Sequence, residues 1–158
     1  MLITELSPTE TVDVLNRAHL GRLACAKDGQ PYIVPISLSY EDHYLYAASS
    51  EGQKIEWMRG NPLVCVEVDE VASPQQWISV VIYGRYEELP DNPEYHAKRQ
   101  LAWSLLQRQP VWWEPGYVKT ILAGTERPLV PLYFRIRVER MTGHRGRPSE
   151  LRLDPSST

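Results

Sequence analysis

At 158 residues the chain has the length of one domain with a single substantial core, and its 42% hydrophobic content argues for a globule over a disordered chain. Seventeen Lys and Arg against 20 Asp and Glu leave a formal charge of -3, which gives nucleic acid or an anionic membrane surface no long-range pull. The apolar runs fall far short of the roughly 18 to 20 residues that span a bilayer, and Met1 to Glu5 lacks the basic start and apolar core of an export signal. The expectation is a cytoplasmic protein that partners neither nucleic acid nor membrane.

Ser7-Pro8-Thr9-Glu10 is a capping box with proline at the first helical position, and Val12, Leu15 and Ala18 repeat at helical spacing. A first helix is predicted from about Pro8 to Ala18. Gly21 releases the chain into a strand from Arg22 to Ala26, and Asp28-Gly29 turns it into the alternating series Tyr32, Val34, Ile36, Leu38, Tyr40. Glu41-Asp42-His43 is a second turn, followed by a strand from Tyr44 to Ala48 and a polar turn from Ser49 to Lys54. Ile55 to Arg59 reads as a short helix stopped by Gly60-Asn61-Pro62, after which Leu63 to Val68 and Trp77 to Glu88 read as strands. Pro90 to Pro93 starts a helix over about Glu94 to Gln107, with Ala97, Leu101, Ala102 and Leu105 at helical spacing. Residues 108–128 form a loop-rich insertion carrying Trp112-Trp113, Leu129 to Met141 is a last strand, and 143–158 is a basic, mobile tail. One domain over 1–142 results, mainly β, with about six closely spaced strands arranged as an antiparallel barrel flanked by helices.

Three segments carry candidate chemistry. Pro35, inside Val34-Pro35-Ile36-Ser37, cannot donate to a sheet ladder and so marks an edge or a gap. Either it protects an ordinary edge strand, or a flat cofactor lies there against backbone amides and the Ser37 hydroxyl. In Ser49-Ser50-Glu51-Gly52-Gln53-Lys54, backbone donors at a helix start, two hydroxyls and an ammonium suit a phosphate group. Lys54 opposes the helix dipole unless an anion sits between them; the bland alternative is a solvated surface lysine, and Glu51 weakens the anion reading unless it points away. Trp77 to Arg85 alternates bulky residues with Ser79 and Gly84, which fits barrel packing or a face that lines a cofactor edge across a subunit boundary.

Other chemistries find no support. His19, His43, His96 and His144 show no metal-ligand spacing, and no GxGxxG, GxxxxGK[ST] or GxSxG occurs. Cys25 and Cys65 sit in strand-like runs and read as buried thiols rather than a disulfide or a metal site. Arg135, Arg137, Arg140, Arg145 and Arg147 read as a charged strand face and solvated tail, with a second anion contact as the alternative.

Leu20-Gly21-Arg22-Leu23-Ala24, Asp28 to Ser37, Gly52-Gln53-Lys54-Ile55, Asn61-Pro62-Leu63-Val64-Cys65 and Trp77 to Gly84 follow one another in an order that resembles the pyridoxamine 5'-phosphate oxidase-like superfamily of FMN-binding split barrels. The likeness covers roughly residues 5–142 and is greatest to short members related to nitroimidazole-resistance proteins. It implies a homodimer with FMN in a cleft at each subunit interface. By that analogy Val34, Pro35, Ile36 and Ser37 contact the isoalloxazine, Ser49, Ser50, Gly52 and Lys54 the phosphate, and Trp77, Ser79 and Val80 the ring from the other subunit. Arg22 matches the family's Gly-Arg-Leu start, as a cofactor contact or as a brace of the barrel.

Two departures narrow the expectation. Many relatives carry a histidine where this chain has Ala47, and the C-terminal arginine and histidine segment that holds vitamin B6 in true pyridoxamine phosphate oxidases is missing. The implied function is an FMN-dependent oxidoreductase acting on a small molecule, with NAD(P)H as a candidate electron donor and no side chain nominated as acid or base. The alternatives are a non-catalytic flavin- or haem-binding module for storage or sensing, and a deazaflavin-dependent reductase.

Overall fold

A computed structural model describes residues 1–108, 120–122, 125–127 and 131–149. The capping box forms as its residues dictate: the Ser7 hydroxyl accepts from the Glu10 N–H (3.2 Å) while the Glu10 carboxylate accepts from the Ser7 N–H (2.8 Å). This starts helix α1, Pro8–Arg17, which follows a short strand β1, Leu2–Glu5. Strands β2 (Leu20–Lys27) and β3 (Gln30–Ser37) form the expected hairpin, and both turn residues, Asp28 (φ 49°) and Gly29 (φ 78°), take left-handed backbone. The Asp42-His43 turn between β4 (Ser39–Glu41) and β5 (Tyr44–Ser49) does the same. Helix α2 (Gln53–Gly60), strands β6 (Leu63–Ser73) and β7 (Gln76–Leu89), helix α3 (His96–Gln107), the short strands β8 (Thr120–Leu122) and β9 (Thr125–Arg127), and β10 (Leu132–Arg147) complete the described chain.

The main sheet runs in the order β3-β2-β6-β7-β10-β5-β4, antiparallel throughout, with β1 added against β10. Only Leu38 separates β3 from β4, and its N–H donates to the His19 carbonyl. The alternating series Tyr32 to Tyr40 is therefore one chain run that turns a corner at Leu38, leaving β2 and joining β5. That corner brings the two ends of the sheet together as a split barrel of six staves, with β3 and β4 making one stave between them. Leu23, Ile36, Leu38, Leu45, Val66, Val80, Ile82, Phe134 and Ile136 fill the interior and are at most 2% exposed.

The helices close and flank this barrel. Near one end α1 buries Val14 and Leu15 and is tied by Glu10 to Arg145 of β10 (3.0 Å) and by Arg17 to Glu70 of β6. At the other end α2 buries Ile55 and Met58, and the Asn61 side chain that follows it donates to the Ala26 carbonyl (3.2 Å). Outside the barrel α3 packs Ala102 and Leu105 on Tyr46 and Leu89, with Tyr44, Tyr95 and Tyr133 around them. Arg99 donates to the Leu89 carbonyl and stacks 5.1 Å from the Tyr133 ring, so the helix buries the face of Arg99, Ala102 and Leu105, with Tyr95 just before it on the same side. Ala97 and Leu101, expected on that face, point outward.

Two boundaries differ from expectation for one reason. Gly143 to Arg147, assigned above to a mobile tail, continue β10 and pair with β1 and β7. Neither β1 nor this extension carries a pattern of its own: β1 is made a strand by the edge of β10, and the extension is held between β1 and β7. Arg145, which hides the strand in a basic run, is neutralised by Glu10. Within the expected insertion, β8 and β9 form a hairpin; the rest, including Trp112-Trp113, lies outside the described residues, as do residues 150–158 of the tail.

Candidate cofactor site

The polar turn lies where β5 leaves the barrel. Leu45, Ala47 and Ser49 face inward, and Ser49 is fully buried with its hydroxyl donating to the Ser50 carbonyl (2.8 Å). Gly52 precedes α2 in extended backbone without any side-chain cap, and a Cβ there would meet nothing within 4 Å, so the fold itself does not require glycine. Lys54, in the first turn of α2, is 6% exposed. It is not a solvated surface lysine. Its charge favours the thiolate of Cys25 on β2, but burial prevails and raises that thiol's pKa.

Glu51 points away from this lysine's helical turn and is held from the other end of α2. Arg59 forks onto both of its carboxylate oxygens (2.7 and 3.1 Å) and also reaches Glu88 of β7 (2.7 Å). Tyr86 donates its phenol to the same Glu88 (2.8 Å); burial first and that carboxylate second hold the phenol well above the usual tyrosine range. The spacing from Glu51 to Arg59 corresponds to no helical pair, because Glu51 lies outside the helix. Sequence reasoning therefore missed this clamp.

The second segment divides between two faces. β3 ends the strand order with β2 as its partner, which is why Pro35 is tolerated. Strand alternation turns Pro35 and Ser37 to the outer face, while Val34 and Ile36 pack with the core. Arg22, opposite Pro35, donates to Asp69 (2.9 Å) and lies 4.0 Å from Glu67, so it braces β2 against β6.

The third segment divides in the same way. Val80 is fully buried in the core, whereas Ser79 hydrogen-bonds the Glu67 carboxylate (3.3 Å). Trp77 lies against Gly146, where a Cβ would stand 2.5 Å from its indole nitrogen, and lines a cavity of about 360 Å³ with Ile78, Arg145 and Arg147. Val34, Ile36 and Val80 thus turn their side chains to the core and could meet a ligand on the outer face only through their backbone.

The three segments do not converge within one chain. Tyr86, whose N–H donates to the Pro62 carbonyl, marks the α2 end of β7. Trp77 is nine residues away along the same strand, about 30 Å at the rise of an extended chain. Ala47 is 1% exposed and opposite Phe134 in the core. Among the described residues no cluster of three or more His, Cys, Asp or Glu could hold a metal ion, and no helix is long and apolar enough to cross a membrane.

A split barrel with a cationic turn at one end is the class these features define. Residues 7–145 match the family model described as pyridoxamine 5'-phosphate oxidase, and the chain belongs to that family. An uncharacterised protein of Rhizobium meliloti is 42% identical over 151 residues, covering 96% of this chain and 100% of the relative. Among solved structures, an FAD-binding protein from Mesorhizobium loti is 47% identical with a TM-score of 0.77, covering 92% of this chain and 99% of that one. A Bacteroides thetaiotaomicron protein provisionally assigned to 5-nitroimidazole antibiotic resistance shares the fold at 21% identity and a TM-score of 0.66, covering 90% and 87% of the two chains.

Proposed function

We propose that this protein binds a flavin nucleotide at the interface of a homodimer, with the phosphate on the Ser49–Lys54 turn, and acts as an FMN-dependent oxidoreductase on a small molecule. The observation that carries the reading is the buried cation of Lys54 in the first turn of α2, beside an open Gly52 and with Glu51 drawn away to Arg59. Donors here fit a phosphate: the Ser50 hydroxyl, helix N–H groups and the Lys54 ammonium, with Ser49, whose hydroxyl donates to the Ser50 carbonyl, shaping the turn. Bound there, the flavin would supply the redox chemistry, with NAD(P)H as the electron donor. The chain's own contribution is to bind the phosphate, to offer the outer face of β3 at Pro35 and Ser37, and to bring Ser79 and Trp77 from the second copy.

FAD is the competing cofactor, favoured by the 47% identical FAD-binding neighbour. A non-catalytic flavin carrier is favoured by Ala47, which puts a methyl group where an imidazole would stand. The absorbance spectrum of purified protein and mass spectrometry of the released chromophore separate FMN, FAD and deazaflavin. Reduction by NADH or NADPH with turnover on an acceptor excludes the pure carrier. Colourless protein that takes up no flavin on incubation overturns the proposal.

Lys54→Ala should weaken FMN binding by about 1.5 to 3 kcal/mol, the loss of a charged hydrogen bond. Riboflavin, which has no phosphate, should be affected far less. Equal losses for the two ligands would remove Lys54 from the phosphate site.

A further inference from the structure

We infer that Arg59 is a positioning residue for the anion site, holding the Glu51 carboxylate out of the turn that Lys54 serves. The inference rests on the reading of Ser49–Lys54 as a phosphate site and assigns a part to a side chain that touches no ligand. Glu51 belongs to the turn itself, directly before Gly52 and three residues from Lys54. Left to rotate, its carboxylate would compete for the same N–H groups and ammonium, and would repel a bound phosphate.

Arg59 prevents this from the far end of α2. Its Nη1 and Nη2 meet the two oxygens of Glu51 at 3.1 and 2.7 Å, a planar fork that fixes the carboxylate's direction as well as its place. The guanidinium is itself held, since Nε donates to Glu88 at 2.9 Å and Tyr86 donates to the same oxygen at 2.8 Å. Helix α2 therefore presents Lys54 in its first turn and carries in its last turn the residue that keeps the turn clear. The side chains of Arg59 and Glu51 are 44% and 65% exposed, so the pair adds little to folding stability. A role in ligand affinity without a matching role in stability is what distinguishes positioning from bracing.

The test is equilibrium titration of the apoprotein with FMN and with riboflavin, alongside thermal melts. Arg59→Gln should weaken FMN about tenfold, the size of one released like charge near the site, while riboflavin affinity stays near the parent value and any fall in melting temperature from the lost Glu88 contact is shared by the double variant with Glu51→Gln. Adding Glu51→Gln to Arg59→Gln should restore FMN binding, and Arg59→Lys, which keeps the charge without the fork, should fall between. A double variant as weak as Arg59→Gln, or equal losses for the two ligands, overturns the inference. If the parent binds FMN no better than riboflavin and Lys54→Ala changes neither, the phosphate reading fails first and takes this inference with it. If Lys54→Ala loses FMN alone while Arg59→Gln loses nothing, only the inference falls.

Discussion

Glu67 faces outward on β6 beside Asp69, with the Arg22 guanidinium nearer to Asp69 (2.9 Å) than to itself (4.0 Å). Partial burial is the larger influence on its carboxyl and Asp69 the next; both raise its pKa, opposed by the Ser79 hydroxyl and by Arg22. Folding thus favours protonated Glu67, and the ionised form costs native stability. That cost is complete above the folded pKa and gone below the ordinary carboxylate value of about 4.3. Glu67→Gln, which keeps an acceptor for Ser79, should melt higher than the parent at pH 7, and the two should converge near pH 4. A gap independent of pH would show that charge crowding on this face is not what Glu67 contributes.

Strands β7 and β10 form the longest ladder, and Gly84 sits at its tightest point, opposite Val138 and next to the bulge at Glu139. A methyl group there would collide with the Arg137 carbonyl oxygen and stand 2.7 Å from Ile136 Cγ2, both on β10. Gly84→Ala should therefore destabilise by about 1 to 3 kcal/mol, read as a lower urea midpoint at unchanged slope. Of the two readings open for the small residues between Trp77 and Arg85, packing is the one that holds for Gly84. Elements whose signals are local could be read from the chain: α1 through Ser7, Pro8 and Glu10, and the two tight hairpins through Asp28-Gly29 and Asp42-His43. β1 and the end of β10 could not, because each needs an edge that is distant in sequence and Leu2 pairs with Arg147. The inward face of α3 was misjudged for a similar reason, since Arg99 is drawn in by the Leu89 carbonyl and the Tyr133 ring rather than by hydrophobicity.

The barrel leaves one outer face open, and its register lines up Ile33, Ala24, Cys65 and Tyr83 across β3, β2, β6 and β7, with the Arg140 guanidinium 4.0 Å over the Tyr83 ring. Ile33 is 64% exposed and Tyr83 36%, and Pro35 and Ser79 lie on the same face. The two-residue period of β3 sends Ile36 into the core and leaves Pro35 outside, so a ligand along Val34 to Ser37 would meet backbone groups together with the Pro35 and Ser37 side chains. Trp77 lies at the end of β7 near α1, and Lys54 at the end where β5 leaves the barrel, so on the proposed reading one flavin would draw these segments from two chains. Two copies joined through this face would bring one protomer's turn toward the other's Ser79 and Trp77. Sedimentation at micromolar concentration should therefore report a dimer, and Ile33→Asp should yield a monomer that has also lost flavin. Because Ile33 is exposed in the isolated barrel, the monomer should keep the far-UV spectrum of a folded sheet. A parent protein that sediments as a monomer and still binds one flavin per chain would show that a single barrel completes the site.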